Sequence, residues 1–308
     1  MADMKRIIKV FFFVWIVLPL PIFASDKTLV PSEIVANFLL PYSPVEQEAI
    51  AKDYKNIHEF CFSQAKDKQQ RLVYVAIAGG PGSSKSTILE SYLHDHPGFV
   101  YVDPDQRVLK FMINTYLQEM NVYAISRNSD YNDLLKRAYG KWRNASNYIA
   151  NSILNDAYAE RLAIAHGTTS TNKNMPLFYE KLKKQGYKII LLLCGSTDEN
   201  RLQEINNRET KQCFVQAASE DVKKKERLFF ENFPVYFKFA DEIQLYWTDR
   251  FSEGAVMVGD CSPTFGCKKL HKNFEKLKNA YEDFRKKHAD KHLPSFENLL
   301  LMNAKSSR

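Results

Sequence analysis

Apolar positions along this chain switch between a period of two and a period near three and a half, and that switching predicts the fold class. Short β-type apolar runs occupy 72–75, 98–102, 162–165, 188–194 and 243–246, with the last read as an edge strand. Between them the pattern is helical: 88–93, 107–161 with a break at 126–130, 176–185, 197–209, and a basic helix opening at Ser219. Residues 31–70 predict helices before the first strand, with Ser32 as N-cap and Tyr54, Ile57, Phe60 and Phe62 as apolar surface. From Leu270 the tail repeats apolar positions at steps of four and three: Phe274, Leu277, Tyr281 and Phe284. That stripe is expected to lie against the body, with a surface for a protein partner or an anionic membrane as the alternative. Strands alternating with helices imply an α/β fold, a parallel sheet covered on both faces.

The junction after the first strand narrows this class. Gly79, Gly80, Pro81, Gly82, Ser83, Ser84, Lys85, Ser86 and Thr87 link a β-run to a helix. Such a turn aims backbone N–H groups inward, and the helix N-terminus adds partial positive charge, so the segment is a phosphate cradle. In a P-loop of this kind Lys85 reaches the β- and γ-phosphates and the Ser86 hydroxyl holds Mg²⁺. Ser84 stands where glycine is usual before the lysine, and is expected to adopt the helix-start geometry. The architecture expected is a three-layer P-loop NTPase-type parallel sheet flanked by helices, with extra N- and C-terminal helices. ATP or GTP with Mg²⁺ is the implied cofactor.

The first 24 residues stand outside that fold. Lys5, Arg6 and Lys9 precede the apolar stretch 10–24, with a small residue at the end. This is the form of a signal peptide, or of an uncleaved anchor, and it predicts export. ATP is scarce outside the cytosol, so a leader that is not used, leaving the protein cytoplasmic, is the third reading. The expected division is 1–24 leader, 25–260 P-loop kinase domain and 261–308 basic amphipathic helical tail.

The net charge of +7 divides unevenly: +2 in the leader, +6 in 268–308 and −1 in the body between them. A near-neutral body excludes a broad nucleic-acid surface. Of five cysteines, Cys261 and Cys267 are close enough to close a local disulfide loop, and no Cys/His spacing reads as a zinc site.

Ligands in parallel sheets bind at the carboxyl ends of strands. Three polar clusters fall there: the P-loop, Asp103-Pro104-Asp105, and His166 with residues 168–171. Phosphoryl transfer needs a base for the acceptor hydroxyl. Asp105, one strand away from the P-loop, is the candidate, with Asp103 structural or a water-mediated magnesium contact. His166 either orients substrate and aids proton transfer or is a satisfied structural histidine.

The order of these motifs resembles the zeta toxin kinases over roughly residues 70–250. Gly-Gly-Pro-Gly-Ser-Ser-Lys-Ser is followed by strands ending Asp-Pro-Asp and Gly-Thr-Thr, then by Lys184-Gln185-Gly186-Tyr187-Lys188. Asn207-Arg208-Glu209, Ser219-Glu220-Asp221-Val222 and 240–246 extend the match. The resemblance implies transfer of the ATP γ-phosphate to a small-molecule hydroxyl, the family's known acceptor being a UDP-linked N-acetyl amino sugar. It also implies that Asp105 is the base and that Arg208 stabilises the transferring group. An antitoxin partner is conceivable from the family but not indicated by these residues.

The chain departs from the pattern on the acceptor side. His166 replaces a substrate-binding glutamate, Ser170 stands near an arginine of some members, and 214–218 lacks a second arginine. Lys211 or the lysines at 223–225 could substitute, without the fork of a guanidinium. A nucleotide-binding protein of weakened catalysis, acting through a partner, is therefore the competing reading, and a simple nucleotidase a third.

Overall fold

Side-chain alternation in the central strands divides the core into two layers. A computed structural model describes residues 28–65, 72–125, 131–212, 219–250 and 253–305. In β1 (Val73–Gly79) Tyr74, Ala76 and Ala78 face one side of the sheet while Val75 and Ile77 face the other. In β4 (Lys188–Ser196) Ile189, Leu191 and Leu193 oppose Ile190, Leu192 and Cys194. Both strands are apolar on both faces, as central parallel strands must be.

With β2 (Val100–Val102), β3 (Ile164–Gly167), β5 (Glu242–Thr248), β6 (Val256–Ser262) and β7 (Gly266–Lys269), they form one sheet in the order β2-β3-β1-β4-β5-β6-β7. The first five strands are parallel, and β6 and β7 are added antiparallel. The α/β expectation is met, with a mixed rather than wholly parallel sheet.

The two faces are covered unequally. One carries α2 (Pro44–Ser63), α5 (Tyr131–Ala159), α6 (Met175–Lys184) and α9 (Phe233–Phe239). The other is sealed mainly by α3 (Lys85–Asp95), through Ile88 and Leu89. The helix that begins in the P-loop is thus anchored along its length to β1, β3 and β4.

Three sequence readings change. Residues 243–246 are not at a sheet edge, because the β6–β7 hairpin lies beyond β5. Gly259 and Asp260 interrupt its apolar alternation and hide it from periodicity. The boundary drawn at residue 261 falls inside β6. There Cys261 stands opposite Cys267 of β7 and the two are joined in a disulfide.

Ser32 does not cap a helix. It is the first residue of α1 (Ser32–Asn37), which has Pro31 at its N-cap. The capped helix is α2, where Ser43 and Glu46 form a reciprocal capping box with Pro44 at the first turn.

The tail packs into the main core. In α10 (Phe274–Lys287) Phe274, Leu277 and Tyr281 are buried, and Phe296 and Leu299 of α11 (Phe296–Lys305) join them. Tyr281 stacks on Phe233 at 5.0 Å, and Phe296 meets Phe237, Phe274 and Tyr281 within 6.3 Å. Among the described residues no helix is long and apolar enough to cross a membrane. Urea unfolding of Phe296→Ala is expected to show a loss of about 3–5 kcal/mol, the cost of emptying a fully enclosed aromatic site. A loss below about 0.5 kcal/mol, the range of surface changes, would make the tail an appendage.

Candidate functional site

The loop at the end of β1 is held open by residues with no room for larger side chains. Gly82 has φ +80°, and a Cβ there would lie 2.5 Å from the backbone oxygen of Arg201. Ser83 Oγ donates to the Gly80 carbonyl at 2.8 Å, closing the turn. Lys85 Nζ folds back to the same carbonyl at 2.7 Å. Its ammonium therefore sits over the loop, within reach of an anion held by the N–H groups at the start of α3. Ser86 and Thr87 occupy the first turn of that helix, neither of them buried.

Ser84 corrects the expectation of ordinary helix-start geometry. It is left-handed, with φ 62° and ψ 20°, and buried. This conformation explains why glycine is usual there, since a Cβ costs about 1–2 kcal/mol in it. The loop is formed in spite of that cost. Its shape fits the phosphates of a nucleotide, with Ser86 as the residue that would hold Mg²⁺.

Asp103 and Asp105 share a turn and differ in situation. Asp103 Oδ1 accepts the N–H groups of Asp105 and Gln106, both at 2.8 Å, capping a single π-helical turn, Pro104–Val108. Burial pushes its carboxyl up to about 6, against those two bonds, and the neighbouring Asp105 adds to the rise. The structural half of its expected role is thus visible. Asp105 is partly exposed, and its Oδ1 lies 2.6 Å from Arg143 Nη1, with the Tyr139 hydroxyl donating from 3.4 Å.

Tyr139, Arg143 and Ser146 lie on one face of α5, at helical spacing. Ser146 Oγ donates to the Pro104 carbonyl, so this face grips the first two residues of the turn. Sequence reading missed Arg143; the i, i+4 spacing from Tyr139 was the only signal for it. The turn also lies further from the P-loop than chain order suggests. β3 pairs with both β1 and β2, so a whole strand stands between Asp105 and the loop rather than the two strands being neighbours.

His166 occupies that intervening strand, level with Ala76 of β1 and Val102 of β2. Its Nδ1 is 2.8 Å from the Tyr74 hydroxyl, and its ring lies among Tyr74 and Phe178. Burial lowers its pKa to about 4, so the imidazole is neutral near pH 7. Beyond it Ser170 is buried with φ 52°, and its carbonyl accepts the Tyr236 hydroxyl at 2.7 Å. Ser170 thus fills a structural place where an arginine would not fit.

Arg208 lies in α7 (Asp198–Gln212), its side chain outside the described part, as are Lys211 and residues 213–218. Lys223 and Lys224 of α8 (Ser219–Glu231) are exposed. Among the described side chains an arginine that meets the P-loop is Arg201, which sequence reading missed because only an unremarkable Asp198 three residues earlier accompanies it. Its side chain is 2% exposed, and Nη2 donates to the carboxylates of Asp198 and of Glu226 in α8. Burial, and then the hydrogen bond shared with Asp198, push the Glu226 carboxyl up to about 8, while that same bond holds Asp198 below its usual range.

No protein-family pattern and no curated protein sequence matches the chain. Solved structures do. One is the AvrRxo1-ORF1:AvrRxo1-ORF2 complex crystallised with sulphate ions, with 11% identity and TM-score 0.52 over 86% of this chain and 90% of that one. Its native form gives 14% and 0.50, over 89% and 92%. A structure of the PezAT chromosomal toxin–antitoxin system of Streptococcus pneumoniae gives 14% and 0.51, over 80% and 97%. At these identities the likeness shows the fold, which is zeta-toxin-like as the motif order implies.

The lowered His166 pKa sets a pH dependence. The unfolded chain binds a proton near pH 6.5 that the folded chain refuses until about 4. Stability from this group is intact above pH 6.5 and falls as pH drops through that window, by roughly 2–3 kcal/mol. Denaturation of wild type and His166→Gln between pH 4 and 7 checks it, because Asp103 and Glu226 cancel in the difference. Wild type should lose stability relative to the variant towards acid; parallel curves would contradict the assignment.

Proposed function

We propose that this protein is an ATP-dependent phosphotransferase that moves the γ-phosphate to a hydroxyl of a small molecule. One observation carries the reading: a glycine-rich turn entering a helix and an arginine-braced carboxylate stand at the carboxyl ends of β1 and β2, in the parallel part of one sheet. Parallel strands end on the same edge, where such folds take their ligands. The zeta-toxin-like fold supports the same conclusion.

Magnesium–ATP, when bound, supplies the phosphoryl group and the cation that offsets its charge. The chain's residues do the rest. Backbone N–H groups of the loop and α3 hold the phosphates, with Lys85 as mobile counter-charge and Ser86 on the metal. Asp105 takes the proton of the acceptor hydroxyl, and Arg143 and Tyr139 fix where its carboxylate points. Arg208 stabilises the transferring group. His166, neutral and tied to Tyr74, presents its other ring nitrogen as a hydrogen-bonding group for the acceptor.

UDP-linked N-acetyl amino sugars are the first acceptors to test, on the strength of the family resemblance. A protein inhibitor is a second element of the proposal. The neighbouring structures are named as a two-protein complex and a toxin–antitoxin system, and a kinase of this kind needs restraint in the cell that makes it. The leader fits export before the enzyme acts.

Full-length protein given γ-labelled ATP, a panel of sugar nucleotides and a cell extract should label one small molecule. Asp105→Asn should lower that transfer about 10²–10⁴-fold, the usual worth of a general base, with ATP affinity kept. No labelled product in the extract, or full activity in Asp105→Asn, would refute the proposal.

A further inference from the structure

Arg201 is enclosed by three groups. Its backbone lies against Gly82, where an added Cβ would come within 2.5 Å of the Arg201 oxygen and 3.0 Å of its Cα. Its guanidinium lies along Gly80, where an added Cβ would be 2.5 Å from Nη1. The third group is the carboxylate pair Asp198 and Glu226, and both of them engage Nη2 alone. Nε and Nη1 are buried and have no hydrogen-bond acceptor among the described residues. A buried guanidinium with unused donors is costly, because its N–H groups have lost water and gained nothing. The donors without acceptors are the ones on the side of Gly80, in the loop that cradles anions.

We propose that Arg201 is a phosphate-binding residue of this loop, its Nη1 and Nε donating to oxygens of the nucleotide's phosphate chain as Glu226 gives up its share of the guanidinium. The inference rests on the phosphotransferase reading and adds a residue to the donor half of the site. It also supplies a guanidinium from the first turn of α7, independent of the segment that lacks the expected second arginine. Because Glu226 belongs to α8, the exchange ties nucleotide binding to the contact between α7 and α8. A planar fork suits two phosphate oxygens at once, which a lysine at the same place would not reproduce.

Calorimetric titration of the full chain with Mg–ATP tests this, using Lys85→Ala, Arg201→Lys and Glu226→Gln, each first shown to melt cooperatively. Arg201→Lys should bind about tenfold more weakly than wild type. Titrated at pH 9, above the raised Glu226 value, Glu226→Gln should bind more tightly than wild type, because there it removes the competing carboxylate. Wild-type affinity in Arg201→Lys overturns the inference. So does unchanged or weaker binding in Glu226→Gln, which would make the pair a brace and nothing more. If Arg201→Lys does not fold, Glu226→Gln at that pH decides alone, with tighter binding in support and unchanged or weaker binding against. Lys85→Ala separates the two levels. If it binds as wild type does, the phosphate-loop reading itself fails; if it weakens while Arg201→Lys does not, only the role of Arg201 falls.

Discussion

The backbone of α7 runs so close to Gly82 that a single added carbon would collide with it. This approach sets the shape of the loop from Gly79 to Ser84, because the chain cannot widen there without displacing a helix. It places Ser84 in a left-handed conformation and starts α3 directly after it. α3 then supplies Ile88 and Leu89 to the thinner of the two core layers, over β1, β3 and β4. Loop, helix and sheet are thus one mechanical unit. The strain at Ser84 is offset by packing that begins one turn later.

The thick layer serves the other half of the site. α5 holds the turn after β2 through Tyr139, Arg143 and Ser146, and is itself fixed by Ile149, Ile153 and Tyr158 in the core. Asp105 therefore projects from a short π-turn clamped at its first two residues, a geometry more exact than an exposed loop would give. α8, α9, α10 and α11 add an aromatic cluster from Phe229 to Phe296 on the same face. The tail that looked separable by charge belongs, by packing, to the framework.

The parts legible in the sequence were those written locally. The P-loop occupies contiguous residues, and the strand–helix order follows from periodicity alone. Asp103 and Asp105 were visible as a strand end, and the fold resemblance came from motif order. Arg143 and Arg201 were not visible, because each gains meaning only from a surface brought to it by distant chain. β3 inserts between β1 and β2 by a crossover that no local pattern records. The β6–β7 hairpin was lost because Gly259 and Asp260 break its alternation, although its two cysteines were noticed for their spacing. Ser84 was misjudged since the conformation, rather than the residue type, carries the cost.

The central claim is that the loop after β1 is the phosphate cradle of a nucleotide-dependent transferase. Its most direct test is a crystal structure of the full chain with Mg²⁺ and a non-hydrolysable ATP analogue. Phosphate oxygens are expected at hydrogen-bond distance from the backbone N–H groups of Gly82 to Ser86, with Lys85 Nζ turned from the Gly80 carbonyl onto them. A nucleotide bound elsewhere, with Lys85 still on Gly80 and the loop empty, would contradict it.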